Sequence, residues 1–216
     1  MSIVQYFLNN FSFISKYAAT HFSLIFGAVL ISLLLWLPVG VLISRNEKLA
    51  NTVLGIANTI YCIPSLALFS FLVTIPAFGL GRKSALLALV LYAMMPLVRN
   101  VYQGIKIVDK SVIEAARGMG MNSWRILREI QLPLAAPVIF AGFRITVVMT
   151  TGVAAIAAYI GEKNLGRLIT VGLNGYNVEM IVTGALLIAL IAIVLDTVLG
   201  FFERMMIPRG LRIRRG

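Results

Sequence analysis

Long charge-free apolar blocks, separated by short polar and basic stretches, dominate the chain. A helix needs about 20 mostly apolar residues to cross a bilayer, so each sufficiently long block predicts a span. Residues 22–44 carry no charge and predict the first. The uncharged stretch 49–81 is too long for one span and too short for two with a turn. It predicts a second span over 52–73, then an external loop over 74–83 with Pro76, Gly79 and Gly81, long enough to dip back into the membrane. The third span is predicted over 84–102, with Arg99 snorkelling to the interface. The fourth covers 137–160, with Arg144 near one end, and the fifth 181–202, with Asp196 in its final third. The expected fold class is therefore all-α: a polytopic membrane protein of five transmembrane helices. Ahead of them, Ile3, Phe7, Phe11, Ile14 and Ala18 recur at helical spacing. Residues 1–21 thus predict a short amphipathic helix, either lying in the outer interface or packed on the bundle. The stretch has no basic n-region or small-residue cleavage site, so it does not read as a signal peptide.

Composition agrees with this pattern. Of 216 residues, 60% are hydrophobic and 12% charged, against about 45–50% and 25% in soluble domains. A disordered chain would need the opposite balance. The formal net charge of +11 raises nucleic-acid binding as a possibility, but the few charges sit between apolar blocks and so speak for topology instead. Five predicted spans put the termini on opposite sides. Five of the 19 basic residues (Lys16, Arg82, Lys83, Lys163, Arg167) then fall on one side and the remaining fourteen on the other. The positive-inside rule places the larger set, including the basic tail 203–216, in the cytoplasm and the N-terminus outside. The single cysteine, Cys62, can form neither an internal disulfide nor a multi-cysteine metal site.

The loop over 103–134 is longer than a connection requires, and its local chemistry is legible. Ser111-Val-Ile-Glu114 has the spacing of a capping box at a helix start. Ala115, Ala116 and Arg117 continue that helix; Gly118 and Gly120 break it by allowing a sharp reversal. Asn122 or Ser123 can cap a second short helix from Trp124 to Ile130, which Pro133 ends. The expected product is a helix–turn–helix elbow with Met119, Met121 and Trp124 at its corner. Such soft and aromatic side chains beside charges suit docking into a partner's groove. Trp124 also suits an anchor at the inner interface.

These residues spell a longer pattern: Glu114-Ala115-Ala116, Gly120, Ile130 and Leu132-Pro133. It resembles the cytoplasmic loop motif of bacterial binding-protein-dependent ABC importer permeases, and the likeness runs from about Ala18 to Phe202. Finer features resemble the osmoprotectant branch, whose cargo is glycine betaine, carnitine or choline. They are Asn58-Thr-Ile-Tyr-Cys-Ile-Pro-Ser-Leu-Ala67, Tyr92, Pro96-Leu-Val-Arg-Asn-Val-Tyr-Gln-Gly-Ile105, Gly161 and Leu165-Gly166. Glu162-Lys163-Asn164 departs from the glycine-rich run usual in that branch. The resemblance implies a type I importer permease fold whose loop is a coupling helix seated in a cytoplasmic ATPase dimer. Glu114, Ala115, Ala116, Gly118, Met119, Gly120, Met121 and Trp124 would make that contact. It also implies a second permease subunit, an external substrate-binding protein and ATP with Mg held on the partner, no cofactor in this chain, and residence in the bacterial inner membrane.

Pro38, Pro64 and Pro96 interrupt spans as tolerated kinks or as hinges. Pro64, with Tyr61, Ser65 and Tyr92, is the group expected near a pathway. Asp196 is expected to pair with Arg204, two turns on, and His21 to sit in the outer interface. No nucleophile–base pair, paired catalytic acids, metal-ligand cluster or P-loop is present, which speaks against an enzyme. No carboxylate falls at mid-span, as ion-coupled carriers usually require. A stand-alone channel or carrier is the competing class, and amino acids or methionine the competing cargo.

Overall fold

The computed structural model describes residues 2–206. The predicted tail 203–216 lies outside these from 207 onward, so the basic cluster at Arg209, Arg212, Arg214 and Arg215 is not described. Among the described residues ten α-helices follow one another: α1 (Ile3–Asn9), α2 (Phe11–Ile43), α3 (Glu47–Cys62), α4 (Ser65–Val73), α5 (Arg82–Lys106), α6 (Lys110–Gly118), α7 (Ser123–Ile126), α8 (Leu132–Ala154), α9 (Gly166–Asn174) and α10 (Val178–Met206). A π-helical stretch, Leu127–Gln131, joins α7 to α8, and a 3₁₀ stretch, Ala155–Ile160, extends α8. No strand occurs among the described residues.

Among the described residues, four helical stretches are long and apolar enough to cross a membrane, and α3 with α4 makes a fifth if that bent pair is one span. The edges differ from the sequence reading. The helix that holds the first predicted span begins at Phe11, so the residues from Phe11 to His21 of the expected N-terminal segment are helically continuous with that span. Lys16 is its one charge, too few to stop an apolar helix. Only α1 stands apart, and it packs on the bundle: its Tyr6 is buried with Ile14 of α2 and with Leu165, Leu168 and Ile188. His21, on α2, is fully buried in the bundle, and neither ring nitrogen finds a hydrogen-bond partner among the described residues.

Helix α5 is the axis of the bundle. Its residues Ala85, Ala88, Leu97, Val98 and Val101 are essentially sealed from solvent. Small residues bring its neighbours in close, the usual device where lipid offers no hydrophobic drive between helices. A Cβ added at Gly40 of α2 would stand 2.6 Å from Val101 Cβ, and one at Gly142 of α8 would stand 2.3 Å from Asn100 Cβ. Trp36 of α2 donates its indole N–H to the Val90 carbonyl at 2.7 Å. Helices α2 and α5 run the same way, and α8 returns beside them.

The two ends of the bundle are built differently. At one end the N–H of Gly81 bonds the Ile160 carbonyl at 2.8 Å, and Arg82 reaches both Glu162 (3.2 Å) and Ser23 (2.7 Å). Burial pushes the Glu162 carboxyl up, against the pull of Arg82. Buried Asn164 bonds the Ala154 carbonyl at 2.6 Å and accepts from the Gly166 N–H. The Glu162-Lys163-Asn164 segment is therefore a fastened corner. The other end carries α6 and α7.

Candidate functional site

The elbow is held by its own backbone. Asp109, not Ser111, caps α6: its carboxylate accepts from the Ser111 N–H at 2.8 Å, a bond that holds Asp109 below the usual carboxylate range. The helix starts too early for Ser111 and Glu114 to form the predicted capping box, and Glu114 stands exposed with no partner among the described residues. At the far end Met119 is the C-cap. The Gly120 N–H bonds the Arg117 carbonyl at 2.9 Å and the Met121 N–H bonds the Ala116 carbonyl at 3.1 Å. Those two bonds make a Schellman motif, which requires a left-handed residue at its centre. Gly120 supplies it, with φ +82°. Gly118, predicted to share that task, is helical and its Cβ position faces open space.

Asn122 then caps the next helix, accepting from the Arg125 N–H at 2.8 Å. Arg125 and Glu129 pair across one turn at 3.0 Å. The helical run that α7 begins does not end at Pro133, where the sequence predicts its end, but continues through it. Proline cannot donate to the Glu129 carbonyl, and the ladder widens to π spacing over Leu127–Gln131, where the Leu132 N–H reaches back to the Leu127 carbonyl. The elbow's second arm is thus continuous with the fourth span, from Ser123 to Ile160. Ile126 and Leu127 are buried, and Leu127 packs with Val101, Ile105 and Ala135 of α5 and α8.

The predicted corner residues divide by exposure. Met119 (75%) and Trp124 (62%) stand out from the bundle, Ala115 is exposed, Met121 is half-buried and Ala116 is fully buried. Ala116 is where a larger side chain would have no room. The corner therefore presents one methionine and one tryptophan on a rigid turn, connected by an unbroken helix to the membrane interior.

The second candidate region lies where the second span breaks. Helices α3 and α4 meet at 94°, with Ile63 and Pro64 between them. The Tyr92 hydroxyl of α5 donates to the Ile63 carbonyl, and the Tyr61 and Tyr92 rings meet edge-on at 6.1 Å. The structure thereby gathers Tyr61, Pro64, Ser65 and Tyr92 at one bend. Tyr92 is buried, Ser65 half-buried, and Tyr61 and Pro64 are exposed.

The ion pairing of α10 differs from the sequence reading. The partner that the structure gives Asp196 is Arg144, on α8, through a two-pronged contact of 2.6 and 2.7 Å. The third guanidinium nitrogen reaches Glu203 at 2.9 Å. Gly200 makes room, since a Cβ there would meet Arg144 Nη1 at 2.9 Å. Charges inside apolar runs were the sequence signal for such a pair. The partner, 52 residues away, was not readable from local spacing.

An all-helical membrane subunit with a stapled elbow at one end and a span broken midway is the frame of a transport subunit. The chain belongs to the family of binding-protein-dependent transport system inner membrane components, whose model matches residues 36–211. It is 40% identical to the osmoprotectant import permease protein OsmW of Salmonella typhimurium, over 98% of this chain and 100% of that protein. It is 39% identical to the choline transport system permease protein OpuBB of Bacillus subtilis, over 97% and 96%. The carnitine transport permease protein OpuCB of Listeria monocytogenes is 35% identical over 99% and 97%. Among solved structures, an inward-facing form of the MetNI methionine ABC transporter shares the fold, with a TM-score of 0.83 at 24% identity over 93% of this chain and 99% of that one. An amino acid ABC transporter solved with histidines also shares it, at a TM-score of 0.80 and 18% identity over 95% and 99%. The chain is a permease subunit and not itself an enzyme.

Proposed function

We propose that the chain moves osmoprotectants, quaternary amines such as glycine betaine, carnitine and choline, from an external binding protein to the cytoplasm. The observation that carries the transport reading is the elbow: an exposed Met119 and Trp124 on a turn fixed by Gly120, in helical continuity with a span. The cargo is supported by the likeness to the osmoprotectant, choline and carnitine permeases.

Alternating access needs an energy source that this chain lacks. Moving a gate from 1:99 to 99:1 takes about 5.5 kcal/mol of differential binding. A cytoplasmic ATPase dimer, holding ATP and Mg, supplies it by gripping the corner around Glu114, Ala115, Ala116, Gly118, Met119, Gly120, Met121 and Trp124. Closure of the ATPases pulls two elbows together, one from each of two permease subunits, and hydrolysis releases them. The N-terminus lies outside and the elbow inside, as the distribution of basic residues favours. The bend at Tyr61, Pro64, Ser65 and Tyr92 belongs to the pathway. Its exposed aromatic ring offers a passing cation–π contact to a quaternary ammonium group.

Uptake of radiolabelled betaine, carnitine, choline and methionine by vesicles containing the full assembly tests this. ATP-dependent import of one or more of the quaternary amines is the expected result. Import of methionine alone contradicts the cargo, and import without the ATPase subunit contradicts the mechanism.

A further inference from the structure

The outward face of α3 is polar where the bilayer would forbid it. Asn51, Thr52, Gly55, Asn58, Thr59 and Cys62 recur at helical spacing and are all exposed, interrupted by Ile56. The opposite face, Ala50 and Ala57 with Val53 and Leu54 half-buried, packs on the bundle. Thr52 and Thr59 satisfy their hydroxyls on the carbonyls of Lys48 and Gly55. The side-chain amides of Asn51 and Asn58 have no such partner among the described residues. If the charged Glu47 and Lys48 mark the membrane edge, Asn58, eleven residues beyond Glu47 and about 16 Å along the helix, falls near the middle of a hydrocarbon core about 30 Å thick. An unpaired carboxamide at that depth cannot face lipid tails without a large penalty.

A second observation comes from the backbone. Tyr61, Cys62, Ile63 and Pro64 are exposed at the point where the helix breaks. Non-helical backbone at membrane depth is tolerated only when covered by protein or facing water. The exposed faces of α2 and α10 are by contrast mainly apolar, with Phe26, Leu30 and Leu34 on α2 and Ile193, Val194 and Val198 on α10; the exposed Thr197 of α10 bonds its hydroxyl to the Ile193 carbonyl. The contrast marks one face for water and the others for lipid.

We propose that the Asn51–Cys62 face of α3 is the water-lined wall of the translocation pathway, offering amide, hydroxyl and carbonyl groups but no charge to a passing quaternary amine. This rests on the transport reading and extends it from the bend to the whole of α3. The uncharged lining fits a site that passes its solute on, since a carboxylate would hold a cation too long.

The native Cys62, the chain's single cysteine, is the probe. The complete assembly, with its ATPase and binding protein in proteoliposomes, is treated with a membrane-impermeant trimethylammonium methanethiosulfonate and, separately, with a lipid-soluble maleimide. The aqueous reagent is expected to label Cys62 and to block uptake, and Cys62→Ser is expected to abolish the labelling. In that background Asn58→Cys should label from water, while Leu34→Cys should label only from lipid. Labelling of positions 58 and 62 by the lipid-soluble reagent alone overturns the proposal. So does an oxidant-driven disulfide between Cys62 of two subunits that leaves the aqueous reagent without effect, for then the face is a subunit contact. Uptake is measured on the same vesicles. ATP-driven import with a water-inaccessible Cys62 rejects the wall alone, whereas loss of all import before labelling rejects the transport reading instead.

Discussion

The elbow and the α5 axis use the same residue for opposite purposes. At Gly40 and Gly142, which pack against α5, glycine is a matter of space: a Cβ would meet Val101 Cβ at 2.6 Å and Asn100 Cβ at 2.3 Å. At Gly120 space is free, and glycine is a matter of backbone angle, φ +82°. One region is an interior that cannot yield, the other an exposed turn that need only keep its shape. The difference separates two classes of defect. Faults along α5 should remove the protein, while faults at the elbow should leave a folded protein that no longer couples.

Substitutions can break that comparison if it is wrong. Gly142→Val places branched carbons inside Asn100 and should cost about 3 kcal/mol or more, because a packed core cannot absorb them. The expected result is little protein in the membrane fraction and early thermal unfolding in detergent. Arg144→Gln leaves Asp196 and Glu203 without their shared cation and should lower the unfolding temperature, by less than Gly142→Val does. Gly120→Val forces a β-branched residue into a left-handed turn at about 1–2 kcal/mol. Membrane level should hold while uptake falls and ATPase activity runs free of it; unchanged uptake would falsify the role given to that turn. Asn122→Ala removes one cap, worth about 1 kcal/mol, and should weaken coupling in part, with Asn122→Ser restoring it. Trp124→Ala should leave bundle stability unmoved and reduce co-purification of the ATPase. Equal loss of stability from Trp124→Ala and Gly142→Val would erase the distinction.

Much of this division was legible in the sequence, because membrane spans announce themselves through charge-free length and the elbow through capping and glycine chemistry. The places where the reading slipped share a cause. Ser111 and Asp109 are both good caps, and only the point at which the chain leaves α5 decides that Asp109 serves. Pro133 looks like a terminator in one dimension, but π spacing absorbs it and carries the elbow's arm into the span. The break at Pro64 could be placed, though its 94° bend depends on Tyr92 fastening the Ile63 carbonyl from another helix. Helix α9, Gly166–Asn174, went unseen because it is too short to stand out between two spans. Asp196 found its partner on α8, and His21 its burial, through contacts that no local window contains.

Most depends on what touches the corner. A photo-activated benzoylphenylalanine introduced at position 119, with one at position 34 as the lipid-facing control, reads this in the assembled complex in native membranes. A cross-link from position 119 to the ATPase subunit, and none from position 34, is the predicted result. A corner that yields no ATPase adduct, or that reacts with reagents confined to the outside of the cell, would contradict it.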